Sequence, residues 1–275
     1  MPQKPKLGQN LLVDAQAAHK IVAALGDVTG HTVAEIGPGR GAITGILAGR
    51  AGRVLAIELD HAFAQDLRMR FAPDRVAVVE QDVLSFHFAA AAAEAGERLR
   101  VIGNLPYYIT SPILLKLAAS HTALELAILM VQREVADRVT AQPGSRDYGL
   151  LSATVQLYGP VEQLFTLPPS AFSPAPKVHS TVFRWRFAPR FAELGIQLGI
   201  DEPGFLRFLR QAFAQKRKTL ANNLRAAGLS PAVAASALAQ AGINGKARAE
   251  ALPLETMAAL WRGLEEQLPV SKQGA

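Results

Sequence analysis

AEIGPGRGAIT, Ala34 to Thr44, opens on a hydrophobic run, breaks at three glycines and resumes with apolar residues at helical spacing. The β-branched HTVAEIG (31–37) predicts a strand and AITGILAG (42–49) a helix, which makes GPGRG a strand-to-helix turn. Ligand loops of open α/β sheets occupy such turns, outside the carboxyl ends of the strands. A dinucleotide fingerprint spaces its glycines G-x-G-x-x-G and aims a helix N-terminus at a pyrophosphate. Here the glycines fall at 37, 39 and 41, so the third comes one residue early, and Pro38 stiffens the turn. The spacing favours a ligand that approaches the backbone closely without a phosphate to cradle. Taken alone, the loop is also compatible with a plain tight turn.

Outward from this loop, strand and helix periods alternate. RVLAIELD (53–60), RVAVVEQD (75–82), LRVIGN (99–104) and LELAILMVQ (124–132) read as further strands, with helical patterns between them and another over 13–25. This alternation predicts a doubly wound parallel α/β sheet of the Rossmann-like kind. LLSATVQLYG (150–159) and VHSTVFRWRF (178–187) read as longer strands, joined through the proline-rich FTLPPSAFSPAPKV (165–178). From about 201 the strand signal vanishes and every segment has helical period. The expected organisation is a ligand-binding domain over 1–190 and a small all-α domain over 200–275, with the tail PVSKQGA (269–275) frayed.

Acidic residues end the neighbouring strands. Glu58 closes the second strand nineteen positions after Gly39, where a carboxylate can grip two ribose hydroxyls. Asp82 closes the third strand, and Glu35 lies inside the first. Three carboxylates at one sheet edge would repel the pyrophosphate of NAD. They suit a cationic nucleoside such as S-adenosylmethionine, with its sulfonium and ammonium groups. A simpler reading makes the acids helix N-caps.

The fourth strand ends in VIGNLPYYITSP, Val101 to Pro112. An exocyclic amine of a purine is a poor nucleophile, because its lone pair is delocalised into the ring. The Asn104 side-chain oxygen and the Leu105 carbonyl can accept its two N–H bonds and draw the nitrogen toward tetrahedral geometry. Pro106 fixes the turn that presents this carbonyl. Tyr107 offers a face on which the base can stack, worth about 1–3 kcal/mol per base in single-strand recognition. Methyl transfer from a sulfonium depends on positioning, so neither a strong base nor a metal is needed. The six histidines show no paired metal-ligand spacing.

Bulk composition fits this chemistry. The 275 residues are 49% apolar and 19% charged, and there is no cysteine, which excludes disulfides, thiolate nucleophiles and Cys-based zinc sites. MPQKPKLGQNLL has no apolar core of a signal peptide, and FAAAAAEAG (88–96) is too short to span a bilayer, so a cytoplasmic, membrane-free protein is expected. Net charge is +6, and the sequence pI is about 9.8. Residues 170–225 carry ten Lys or Arg against three acids, which concentrates the excess in one region and favours a polyanionic partner.

NLPY is similar to the signature of adenine amino-methyltransferases. GQNLL (8–12), EIGPGRGAIT (35–44), IELD (57–60), QDVL (81–84), NLPYYITSP (104–112), FSPAPKVHS (172–180), KRKTLANNL (216–224) and RAEALPLETMAAL (248–260) together resemble the dimethyladenosine transferases of small-subunit ribosomal RNA. The resemblance runs over essentially the whole chain. It implies an S-adenosylmethionine-dependent enzyme that dimethylates the N6 amines of two adjacent adenosines near the RNA's 3′ end, on a precursor of the small subunit, as a monomer. It implies that Asn10 and Leu12 close over the cofactor, Gly37 lies against its methionine part, Glu58 holds the ribose and Asp82 the adenine amine. Asn104 would serve both cofactor and target amine, with Leu105, Pro106 and Tyr107 completing the catalytic turn. Tyr107 and Phe172 would sandwich the base, and Lys216, Arg217 and Lys218 would hold RNA phosphates. Two positions depart from the family pattern: Leu11 stands for the usual Phe and Tyr108 for the usual Asn. Two alternatives stay open. One is a large-subunit rRNA adenine methyltransferase of the antibiotic-resistance type, and the other is an RNA-binding assembly or transcription factor without catalysis. A DNA methyltransferase fits less well, for want of a separate target-recognition domain.

Overall fold

The computed structural model describes residues 10–264. The tail PVSKQGA, Gly8 and Gln9 of GQNLL, and the last residues of the terminal helical segment lie outside them. The first elements in chain order are β1 (Leu11–Leu12), α1 (Ala15–Ala23), β2 (Thr32–Ile36), α2 (Thr44–Ala48), β3 (Arg53–Glu58), α3 (His61–Arg70) and β4 (Val76–Glu80). They are followed by α4 (Phe88–Ala95), β5 (Leu99–Asn104), α5 (Thr110–Ala119), β6 (Leu124–Gln132), α6 (Arg133–Val139) and α7 (Leu150–Leu157). The rest comprises β7 (Val161–Leu167), β8 (Phe172–Ser173), β9 (Ser180–Arg186), α8 (Glu202–Ala212), α9 (Leu220–Ala226), α10 (Pro231–Gln240) and α11 (Leu254–Arg262).

Seven strands form one sheet in the order β4-β3-β2-β5-β6-β9-β7. The first five are mutually parallel. All five residues of β2 are buried, as expected of a central strand covered on both faces. The chain order reverses between β2 and β5, so the sheet has its switch point there, and the carboxyl ends of β2, β3 and β5 open onto one crevice. The sheet is not parallel throughout. β9 runs antiparallel to both β6 and β7. β7 reaches β9 through a loop and the two-residue β8 rather than through a crossover helix, and a connection of that kind returns the chain antiparallel. Helix starts follow side-chain caps: Asp14 accepts from the Ala17 N–H, and Asp60 from those of Ala62 and Phe63.

LLSATVQL differs from the strand expected for it: it is the helix α7. Its β-branched Thr154 and Val155 suggest a strand, but its polar residues obey a helical period. Ser152 and Gln156, four apart, lie on one face. The Ser152 hydroxyl donates to the Arg138 carbonyl at 2.6 Å, and the Gln156 amide donates to those of Val139 and Ala141 at 2.9 and 2.8 Å. Tertiary bonding thus overrides local propensity. The consequence for organisation is a two-piece second unit. Among the described residues the chain separates into 10–136 with 159–188, and 137–158 with 189–264, rather than by the one break expected between 190 and 200.

Candidate active site

The three loop glycines sit at φ values of 65°, 54° and 77°, a region that side-chain-bearing residues rarely adopt. That requirement explains their spacing better than any phosphate rule. Gly37 N–H donates to the Ile57 carbonyl at 2.9 Å, and Gly39 N–H to Glu58 Oε2 at 2.9 Å, so the loop is fastened to β3. A Cβ on Gly39 would lie 2.8 Å from Leu11 Cδ2, because β1 rests directly on the loop.

Glu58 is 1% exposed, and its other oxygen accepts the Asp60 N–H at 2.8 Å. Burial raises its carboxyl above the ordinary range, against the lowering effect of these backbone bonds. Each carboxylate oxygen keeps a further lone pair for a ligand. Asp82 accepts the Leu84 N–H at 2.9 Å, which fixes its carboxyl at the mouth of the same crevice. Gly37, Glu58, Asp82, Pro106, Tyr108 and Ile109 line this cleft, with Ile36, Ile57 and Val83 as apolar walls. Glu35 is not among the lining residues. It is buried inside β2, takes a hydrogen bond from the Thr44 hydroxyl at 2.7 Å, and is pushed up to about 8 by burial, with the nearby Glu58 adding to the rise. It therefore holds its proton at neutral pH and adds no charge to the cleft, whose lining carboxyls are Glu58 and Asp82.

NLPY follows from the end of β5. Asn104 donates its side-chain amide to the Asn10 carbonyl at 2.9 Å. A carbonyl only accepts, so the amide's NH2 faces β1 and its Oδ1 is left for another partner. Leu105 is buried and gives its N–H to the Met130 carbonyl at 2.9 Å. Thr110 Oγ1 donates to the Pro106 carbonyl at 3.0 Å. Tyr107 Oη lies 2.8 Å from Ser180 Oγ. Tyr108, at 59% exposure, stands on the rim of the cleft.

Asn10 and Leu12 reach this place through a ladder that no local pattern announces. Leu11 pairs with Ser173 and Leu12 with Phe172, antiparallel, and the Val13 N–H donates to the Ala171 carbonyl at 2.9 Å. The ladder brings Asn10, Leu12, Gly37, Asn104 and Phe172 into one neighbourhood. Phe172 itself is buried in an apolar cluster with Leu12. Its ring is covered and presents no open face to the cleft.

The basic triplet belongs to the second unit, on the loop after α8, and all three residues are exposed. Lys216 Nζ donates to the Arg146 carbonyl at 2.7 Å, whereas Arg217 and Lys218 make no side-chain bond among the described residues. Buried Asn223 donates to the carbonyls of Ala212 and Gln215 at 2.7 and 3.3 Å and so fixes both ends of the turn that precedes them. Sequence reasoning assigned no role to Thr44, Thr110, Ser180 or Asn223. The partner of Ser180 lies 73 residues away, and no short-range pattern marks so distant a bond. Among the described residues no group of His, Asp or Glu could hold a metal ion.

The ribosomal RNA adenine dimethylase family profile matches residues 2–265. The chain is 58% identical over 265 residues to the ribosomal RNA small subunit methyltransferase A of Acidobacterium capsulatum, covering 96% of this chain and 92% of that one. It is 50% identical over 276 residues to the protein of the same name from Koribacter versatilis, covering 96% and 95%. Among solved structures, a dimethyladenosine transferase from Plasmodium falciparum superposes with a TM-score of 0.77 at 24% identity, covering 93% and 98%. The 23S rRNA methyltransferase ErmE gives 0.68 at 25%, covering 93% and 100%.

Proposed function

Because the chain belongs to the ribosomal RNA adenine dimethylase family, we propose that its cleft works on two adjacent adenosines near the 3′ end of small-subunit rRNA. The enzyme is an S-adenosylmethionine-dependent rRNA adenine dimethyltransferase of the small subunit. The observation that carries the site assignment is the fixed amide of Asn104, whose NH2 is taken by Asn10.

The cofactor suits the residues that line the cleft: a glycine turn without a phosphate cradle, two carboxyls, and apolar walls. When bound, S-adenosylmethionine supplies the electrophilic methyl group. Glu58 holds ribose hydroxyls with its remaining lone pairs, Asp82 accepts from the adenine amine of the cofactor, and Gly37 admits its methionine part. Asn10 and Leu12 cover the site and exclude water. Asn104 Oδ1 and the Leu105 carbonyl accept the two N–H bonds of the target amine, which frees its lone pair. Pro106 keeps that carbonyl in place, and Tyr107 stacks on the base. Phe172 supports the cover and borders the base from the other side.

Arg217 and Lys218 hold RNA phosphates, with Lys216 bracing their loop. A monomer is the proposed working form. Among the described residues no helix is long and apolar enough to cross a membrane, and a ribosomal substrate supports a cytoplasmic location.

Methyl-labelled cofactor, offered with undermethylated small subunits, large subunits and naked RNA, tests the proposal. N6,N6-dimethyladenosine recovered from two neighbouring positions of the small subunit is the expected product. Label only in the large subunit would sink it.

A further inference from the structure

Tyr107 is the ring set against the target base in the function proposed above, and its hydroxyl is bound to a distant strand. Ser180, its partner at 2.8 Å, is 0% exposed. It opens β9, where it pairs with Gln132 of β6 on one side and Leu167 of β7 on the other. A side chain held between two strands is a stationary anchor. A buried hydroxyl is unfavourable unless bonded, so a serine here needs a polar reason. Among the described side chains its one hydrogen-bond partner is Tyr107. The carbonyl of the adjoining Pro106 is held separately by Thr110 at 3.0 Å.

We propose that Ser180 is a positioning residue for base recognition, its hydroxyl fixing the Tyr107 ring so that an adenine stacks in register with Asn104 and Leu105. The proposal rests on the adenine reading of the site. Because Oη lies on the χ2 axis, the bond pins the far end of the ring and with it χ1; without the bond that end can swing between rotamers, and the stacked base inherits the freedom. A misplacement of about 1 Å costs on the order of 100-fold in rate, so a second-hand effect through Tyr107 is large enough to measure.

The test compares full-length Ser180→Ala, Tyr107→Phe and the double variant. Each is assayed for kcat, KM and cofactor binding, and for quenching of 2-aminopurine placed at the target position of an RNA. Both single changes should lower kcat about tenfold or more and weaken the quenching, while cofactor affinity stays as in the unaltered protein. The double variant should be no slower than either single one, because both remove the same bond. Unchanged kcat and quenching in Ser180→Ala, or losses that multiply in the double variant, overturn the assignment. If Ser180→Ala does not fold, Tyr107→Phe decides alone, and normal turnover with normal quenching overturns the assignment. An unaltered protein that quenches but methylates no adenine overturns the functional reading, and the quenching comparison then decides the role of Ser180.

Discussion

Glu35 and Glu58 are both buried near the glycine loop, and burial raises both carboxyls, but their partners differ. Glu58 takes two backbone N–H groups, whereas Glu35 takes one hydroxyl and sits at about 8 through burial. A carboxyl raised from 4.5 to about 8 in the folded chain contributes stability that is full below the unfolded value and is lost as pH rises toward and through 8. Glu35→Gln should remove this dependence and make the protein more stable than the original at pH 8.5, as read by urea unfolding. Asn104→Ala should lower turnover by two orders of magnitude or more while cofactor affinity changes far less, since removing an amine acceptor affects chiefly the reacting geometry. Titration calorimetry beside single-turnover kinetics separates the two. Gly39→Ala places a side-chain-bearing residue at φ 54°, at a cost of about 1–2 kcal/mol. Leu11→Ala in the same chain should restore little of that loss, because the tip of Leu11 can move aside whereas the backbone strain stays.

Among elements, the five parallel strands were legible because each is a compact apolar run, and the loop glycines because positive φ leaves a mark in composition. α7 was not legible, since its helicity rests on Ser152 and Gln156 reaching the carbonyls of Arg138, Val139 and Ala141. Nor was the β1–β8 ladder, whose strands have two residues each and lie some 160 positions apart. At the site, the motif residues were legible and their partners were not. Asn104 could be named from NLPY, but the orientation of its amide depends on a carbonyl 94 residues away. The turn bearing the basic triplet depends in the same way on Asn223. Asn223→Ala should leave two carbonyls without their donor and destabilise the second unit by about 1–3 kcal/mol, measurable by chemical denaturation.

At the scale of the whole molecule, the charge excess read from residues 170–225 is a regional property, but its members are not equivalent. Lys216 spends one N–H on a backbone carbonyl, which limits its reach, whereas Arg217 and Lys218 make no side-chain bond among the described residues. Replacing Arg217 and Lys218 with Gln should flatten the dependence of RNA affinity on salt, by about 0.7 in slope for each phosphate of a single strand that is no longer neutralised. Lys216→Met should change the slope less. The ladder between Leu11–Leu12 and Phe172–Ser173 has a consequence for kinetics. In the proposed arrangement, where Asn10 and Leu12 cover the cofactor, each methyl delivered requires the spent cofactor to leave past them, and that movement pulls on the segment proposed to border the base. Cofactor renewal and retention of the RNA are then in competition, so the enzyme should act distributively: N6-monomethyladenosine should build up early in a time course before the dimethylated product overtakes it.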